Sequence, residues 1–85
     1  MKVTVYSKND CMPCHMTKQY LKNNDVDFDE INIEAPGNEN KVFDVVNLGY
    51  STMPAVVIKN DDGTQESFAG FNVDKLDDLR DRNNK

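Results

Sequence analysis

The chain has two cysteines, Cys11 and Cys14, with Met12 and Pro13 between them. A cysteine at the start of a helix faces unpaired backbone N–H groups and the positive end of the helix dipole, and both favour a thiolate. A second cysteine three residues later lies about one helical turn away, close enough to close a small disulfide. Pro13 between them lacks an N–H, which costs little in a first turn where N–H groups are unpaired anyway, and its fixed φ suits the helix. A C-x-x-C placed between a strand pattern and a helix pattern, inside a βαβ unit, is the setting of a dithiol–disulfide redox motif.

Other chemistries fit the same residues and stay open at this point. Two reduced, inert cysteines are one. A tetrahedral zinc site is another, but it needs four ligands, and His15 directly after Cys14 is badly placed to share an ion with it. A copper-carrying βαββαβ domain uses two cysteines as soft ligands. Such carriers usually have Met two residues before the first cysteine, where this chain has Asn9. Cys11-Met12-Pro13-Cys14-His15 also spells the C-x-x-C-H haem-attachment pattern, although that attachment normally follows export and its small domains are mainly helical. Outside haem chemistry, His15 reads as an exposed first-turn residue.

The elements that must hold the cysteines follow from periodicity. Lys2–Tyr6 alternates, with Val3 and Val5 on one side, and predicts a strand. From Cys11 to Asn24, Met16, Tyr20 and Leu21 recur at helical spacing with Lys18, Gln19 and Lys22 opposite, until Asn23-Asn24-Asp25 breaks the helix. Asp27–Ile33 predicts a second strand through Phe28, Ile31 and Ile33. After the turn signal Ala35-Pro36-Gly37-Asn38, a short helix turns Val42, Val45 and Val46 inward and ends at Gly49. Ala55–Ile58 is a continuous apolar run of the buried-strand kind, and Asn60-Asp61-Asp62-Gly63 predicts a hairpin into a strand over Gln65–Ala69. Asn72 is the expected N-cap of a last helix carrying Val73, Leu76 and Leu79 on one face. The expected fold class is α/β, in the order β-α-β-α-β-β-α. The early βαβ crossover is parallel and the later hairpin antiparallel, so the four-stranded sheet is mixed, with three helices flanking it.

With 85 residues there is room for about one domain, and residues 1–85 are read as a single one. At 38% hydrophobic and 29% charged residues the composition is that of a globular protein. No apolar run approaches the ~18 residues of a membrane span, and the N-terminal stretch turns polar at Ser7-Lys8-Asn9-Asp10, unlike a signal peptide. The expectation is a cytoplasmic protein with no membrane contact. A net charge of −5 argues against general nucleic-acid binding, which needs Lys and Arg to displace phosphate counterions. Residues 1–22 nevertheless carry +3, leaving −8 for the rest. Lysines near a thiol favour its thiolate, and Lys8 is the candidate for tuning it. The Asn- and Asp-rich stretch over 77–85 reads as a solvated end.

Five segments occur together in a telling order: Val5-Tyr6-Ser7-Lys8, Cys11–Cys14, Lys18-x-x-Leu21, Gly49-Tyr50-Ser51-Thr52-Met53-Pro54 before a Val-Val-Ile strand, and Gly70-Phe71-Asn72-Val73-Asp74-Lys75-Leu76. From about Val3 to Leu79 the chain resembles the glutaredoxin-like NrdH redoxins of the thioredoxin superfamily. The Gly-Phe-x-x-Asp-Lys segment narrows the resemblance beyond the superfamily. Two positions depart from the family pattern. Pro13 stands where Gln is usual, and Phe68-Ala69-Gly70-Phe71 lacks the usual Trp.

The resemblance implies a small thioredoxin-fold disulfide reductase that donates electrons to class Ib ribonucleotide reductase and is recharged by thioredoxin reductase. It also implies that Pro54 is a cis-proline facing the active site, with Thr52 and Met53 offering backbone to a bound substrate. An X-Pro bond is usually trans, so the residues alone do not reveal this. On this reading Cys11 is the exposed nucleophile and Cys14 the resolving thiol. Met12, Pro13, Gly70 and Phe71 face the partner, although an aromatic at the place of Phe71 is more often packed than partner-facing. No metal or organic cofactor is bound, the redox group is the Cys11–Cys14 disulfide, and NADPH acts only through the reductase. The protein is expected to be a monomer. Glutathione-dependent glutaredoxins are the alternative within enzymes, but they generally hold glutathione with a Gly-Gly and acidic pair where this chain has Gly70-Phe71-Asn72. A copper carrier is the alternative outside them.

Overall fold

The computed structural model describes residues 1–83. Alternation in Lys2–Ser7 (β1) buries Val3, Val5 and Ser7 on one face. The remaining elements are α1 (Met12–Asn23), β2 (Asp29–Asn32), α2 (Lys41–Asn47), β3 (Ala55–Lys59), β4 (Gln65–Ala69) and α3 (Val73–Asn83). The strand order is β2-β1-β3-β4. β1 runs parallel to β2, with Tyr6 opposite Ile31, and antiparallel to β3, with Val5 opposite Val56. The β3–β4 hairpin pairs Val56 with Phe68. This is the mixed sheet and βαβαββα order expected from the sequence.

The hairpin turn is closed by the Asn60 N–H donating to the Thr64 carbonyl at 2.9 Å, and Gly63 takes the left-handed conformation at φ +90°. Asp62 Oδ1 accepts both the Thr64 N–H at 2.9 Å and its hydroxyl at 2.6 Å, which stiffens the loop in the manner of an Asx turn. Asn72 caps α3 as expected, its Oδ1 accepting the Lys75 N–H at 3.2 Å.

Strand alternation divides the core between the two sheet faces. Val3, Val5, Val56, Ile58 and Phe68 point to one face and pack with Leu21 of α1, Val26, and Leu76 and Leu79 of α3. Tyr20 donates a hydrogen bond to Asp77 and joins α1 to α3. Ala55 and Val57 are buried on the opposite face, where Val45 is the buried residue of α2.

Several expected inward residues are exposed. In α1 the buried line is Cys14, Thr17 and Leu21, and Met16 is 41% exposed. The helix is rolled so that a small hydroxyl residue, rather than the neighbouring methionine about 100° around the axis, meets the sheet. In α2, Val42 and Val46 are exposed and only Val45 is buried. A two-turn helix lying on a sheet has one point of close approach, and Val45 takes it. Val73 is also exposed, in the first turn of α3. β2 is shorter than the expected 27–33 because it is an edge strand that pairs only with Thr4–Ser7, while Val26 and Phe28 turn into the core before it begins. The stretch read as a solvated end is, through Asn83, the second half of α3. There Leu79 is fully buried, and Arg82 pairs with Glu66 at 2.6 Å. Positions 84 and 85 lie outside the described residues.

Candidate functional site

β1 delivers the chain to the cysteines through a short loop that is tied down before α1 begins. The Ile33 N–H donates to the Ser7 carbonyl at 2.9 Å, Asn32 Nδ2 to Asn9 Oδ1 at 2.9 Å, and the Asn9 N–H to Glu34 Oε1 at 2.7 Å. Asp10 then turns the chain at φ +53°, in the left-handed region that Asp tolerates better than most residues. Cys11 follows in extended conformation as the N-cap of α1.

The cap is made by sulfur. Cys11 Sγ accepts the Cys14 N–H at 3.1 Å, and the Cys11 carbonyl accepts the His15 N–H at 3.1 Å. With Met12 and Pro13 leading and no acidic residue in the first turn, the positive end of the helix acts on this sulfur without a nearby carboxylate on the helix itself. Cys11 and Cys14 form a disulfide with a Cα–Cα distance of 5.2 Å. The two sulfurs differ in access. Cys11 is half-buried at the surface, whereas Cys14 is 1% exposed on the inner side of α1.

A second segment meets Cys11 from the start of β3. The Met53–Pro54 peptide is cis, and the Met53 carbonyl oxygen lies 3.9 Å from Cys11 Sγ. Pro54 is fully buried, and its carbonyl accepts the Gly70 N–H at 2.8 Å, joining this segment to the end of β4. Gly70 has φ +79° with open space where a Cβ would stand. Backbone conformation, not crowding, is therefore what makes glycine fit there.

Between these segments lies an open groove of about 640 Å³. Cys11, Met12 and Pro13 form one wall, Thr52 and Met53 the other, and Gly70 and Phe71 close the end. Lys8 is at the rim. Of the residues singled out from the sequence, eight line one groove, Pro54 sits buried behind it and Cys14 lies beneath α1. Phe71 combines both expected roles, because it lines the groove and also packs against the core cluster. Asp10 and Ser51 line the groove without having been assigned a role. Asn9-Asp10, a turn dipeptide directly before the first cysteine, was the available signal for Asp10; Ser51 had none beyond adjacency to Thr52.

The positive charge of residues 1–22 is only partly directed at the sulfur. Lys18 Nζ is 2.6 Å from Glu30 Oε2, which also accepts the Ser7 hydroxyl at 2.8 Å, and these bonds hold the Glu30 carboxyl below its ordinary range. Lys2 lies 3.7 Å from Asp29. Lys8 is the lysine that faces the groove, and Asp10 on the same rim opposes it. His15 is exposed on the outer side of α1, as expected.

Residues 3–64 match the glutaredoxin family model. The chain is 42% identical over 74 residues to the glutaredoxin-like protein NrdH of Lactococcus lactis, covering 87% of this chain and 93% of that protein. It is 33% identical over 79 residues to the NrdH protein of Escherichia coli, covering 93% of this chain and 89% of that protein. Among solved structures, the NrdH-redoxin of Escherichia coli superposes with a TM-score of 0.78 at 32% identity, covering 93% of this chain and 95% of that one.

Proposed function

The chain belongs to the glutaredoxin family, as an NrdH-like thiol–disulfide oxidoreductase, and we propose that it passes electrons to protein disulfides and is recharged by thioredoxin reductase. Class Ib ribonucleotide reductase is the foremost acceptor on this reading. The observation that carries it is the unequal access of the two sulfurs, with Cys11 at the groove and Cys14 enclosed.

The Cys11 thiolate attacks one sulfur of the substrate disulfide. A Cys11–substrate bond forms, and the other substrate sulfur leaves with the electron pair and takes up a proton. Cys14 then loses its proton and attacks Cys11 Sγ. The mixed disulfide breaks, the second substrate sulfur leaves as a thiol, and the Cys11–Cys14 disulfide remains. Two electrons and two protons, originating in NADPH and delivered by the reductase, restore the dithiol. The substrate chain lies in the groove against the backbone of Thr52 and Met53, with Met12, Pro13, Gly70 and Phe71 around it. Lys8 favours the Cys11 thiolate.

On this reading residues 1–85 work as one domain and as a monomer, with no resident metal or organic cofactor, in the reducing cytoplasm, where a dithiol is kept reduced. Among the described residues no helix is long and apolar enough to cross a membrane. Two points favour thioredoxin reductase over glutathione. The Escherichia coli NrdH-redoxin is described as having a thioredoxin-like activity profile. In this chain bulky Phe71 lines the groove, and the first turn of α3, which follows it, carries acidic Asp74 with only Lys75 beside it, whereas a dicarboxylate tripeptide calls for positive charge. The test is NADPH-coupled disulfide reduction with thioredoxin reductase, run beside glutathione plus glutathione reductase. Turnover is expected with the first and little with the second. Efficient turnover with glutathione alone would make the protein an ordinary glutaredoxin.

A further inference from the structure

Thr17 is fully buried in α1, and its hydroxyl has no hydrogen-bond partner. Among the described residues one other buried side-chain atom lacks such a bond, Arg82 Nε, and it lies 3.2 Å from Asp78. Thr17 is therefore the isolated case. A threonine inside a helix ordinarily turns its hydroxyl onto the carbonyl three or four residues back, here Cys14 or Pro13, and this one does not. A buried orphan hydroxyl is destabilising, and valine would fill the same volume without that cost.

The place of the orphan suggests its use. Thr17 lies one turn beyond Cys14 on the same buried line, and residues three apart on a helix have Cβ atoms about 5–6 Å apart. In the disulfide, Cys14 sulfur is a poor acceptor. When the disulfide opens, the same sulfur becomes a thiol and then, to resolve a mixed disulfide, a thiolate. With 1% exposure it cannot draw on water, and the Cys14 N–H is already directed to Cys11 Sγ. A charge formed there needs a donor from within the protein.

We propose that Thr17 is a positioning residue for the resolving thiol, its hydroxyl donating a hydrogen bond to Cys14 sulfur in the reduced protein and in the resolving step. The bond is absent in the oxidised protein and made in the reduced one, so it shifts the dithiol–disulfide equilibrium toward the dithiol. No proton or electron passes through Thr17. The proton lost by Cys14 ends on the departing substrate thiolate. The inference rests on the Cys11–Cys14 redox couple proposed above but not on the identity of the partner or of the recharging reductase.

Thr17→Val and Thr17→Ser separate this role from a structural one. Each full-length variant and the wild type are equilibrated with mixtures of reduced and oxidised glutathione, and the oxidised forms are also unfolded in urea. Thr17→Val should lower the equilibrium constant for reduction about tenfold, which for a two-electron couple is about 30 mV toward more negative potential. Thr17→Ser, which keeps the hydroxyl, should stay within about twofold of wild type. Oxidised Thr17→Val should be at least as stable as oxidised wild type, because it has lost an unpaired hydroxyl. A Thr17→Val equilibrium constant within about twofold of wild type overturns the proposal. So does oxidised Thr17→Val that unfolds at lower urea, which would assign the hydroxyl to packing. A wild-type protein that forms no reversible disulfide under glutathione would instead strike at the redox reading itself.

Discussion

The two faces of the sheet are held very differently. On one, α1 and α3 close over Val3, Val5, Val56, Ile58 and Phe68, with Leu21, Leu76 and Leu79 fully buried. On the other, the seven-residue α2 covers the sheet through Val45 alone, while Phe43 is 65% and Val46 59% exposed. α1 is capped by Cys11 sulfur, but Asn40, the cap residue of α2, makes no side-chain bond. The chemistry stands on the first face. A dithiol needs two sulfurs at fixed separation with one enclosed, and a helix packed along Cys14, Thr17 and Leu21 provides this. α2 carries no groove residue and has no comparable demand on its position.

Truncation should expose this asymmetry most strongly. Leu21→Ala or Leu76→Ala should cost ~2–5 kcal/mol, a large part of the ~5–15 kcal/mol expected of a whole domain. Val45→Ala, which removes two buried carbons worth about 0.8 kcal/mol each, should cost roughly 1.5 kcal/mol. Urea unfolding of the oxidised proteins measures both. Equal costs on the two faces would break the comparison.

A smaller effect sharpens it through pH. Each face carries one tyrosine whose ionisation is pushed above its ordinary value. Burial is the first cause for both, with the hydrogen bond to Asp77 added at Tyr20 and the charge of Asp44 at Tyr6. A raised folded value means that the neutral form is favoured in the fold. The associated stability is fully present below about pH 10, the unfolded value, and is lost as pH rises through the folded values. Tyr20→Phe should reduce this alkaline loss and cost about 1 kcal/mol at neutral pH, whereas Tyr6→Phe should cost less because Asp44 belongs to the loosely held helix. Unfolding followed from pH 7 to 11 reads both; identical profiles for the two variants would contradict the distinction. The smallest effect is expected at Phe43, where Phe43→Ser should change stability by no more than about 0.5 kcal/mol.

The same asymmetry governs what could be read from the residues. β1, the β3–β4 hairpin, the N-cap Asn72 and the cysteine pair at a helix start are set by local rules of alternation, turn chemistry and capping, and they stand where the sequence placed them, whereas β2 is cut short by its place at the sheet edge. Which side of a short helix is buried is not a local matter. Val42, Val45 and Val46 share an apolar arc, and only the approach of α2 to the sheet selects Val45. Thr17 escaped notice for the converse reason, since its polar type reads as solvent-facing while the roll of α1 buries it. The cis peptide before Pro54 was accessible only through family resemblance, because nothing in Thr52-Met53-Pro54 departs from a trans bond.

The central claim is that Cys11 is the sulfur substrates meet and Cys14 the one that releases them. Cys14→Ser incubated with a disulfide substrate and analysed by intact mass and peptide mapping tests it directly. The account predicts a stable substrate adduct on Cys11 that fails to resolve, and no adduct or turnover in Cys11→Ser. An adduct on Cys14 in Cys11→Ser, with none on Cys11 in Cys14→Ser, would reverse the roles and contradict the account.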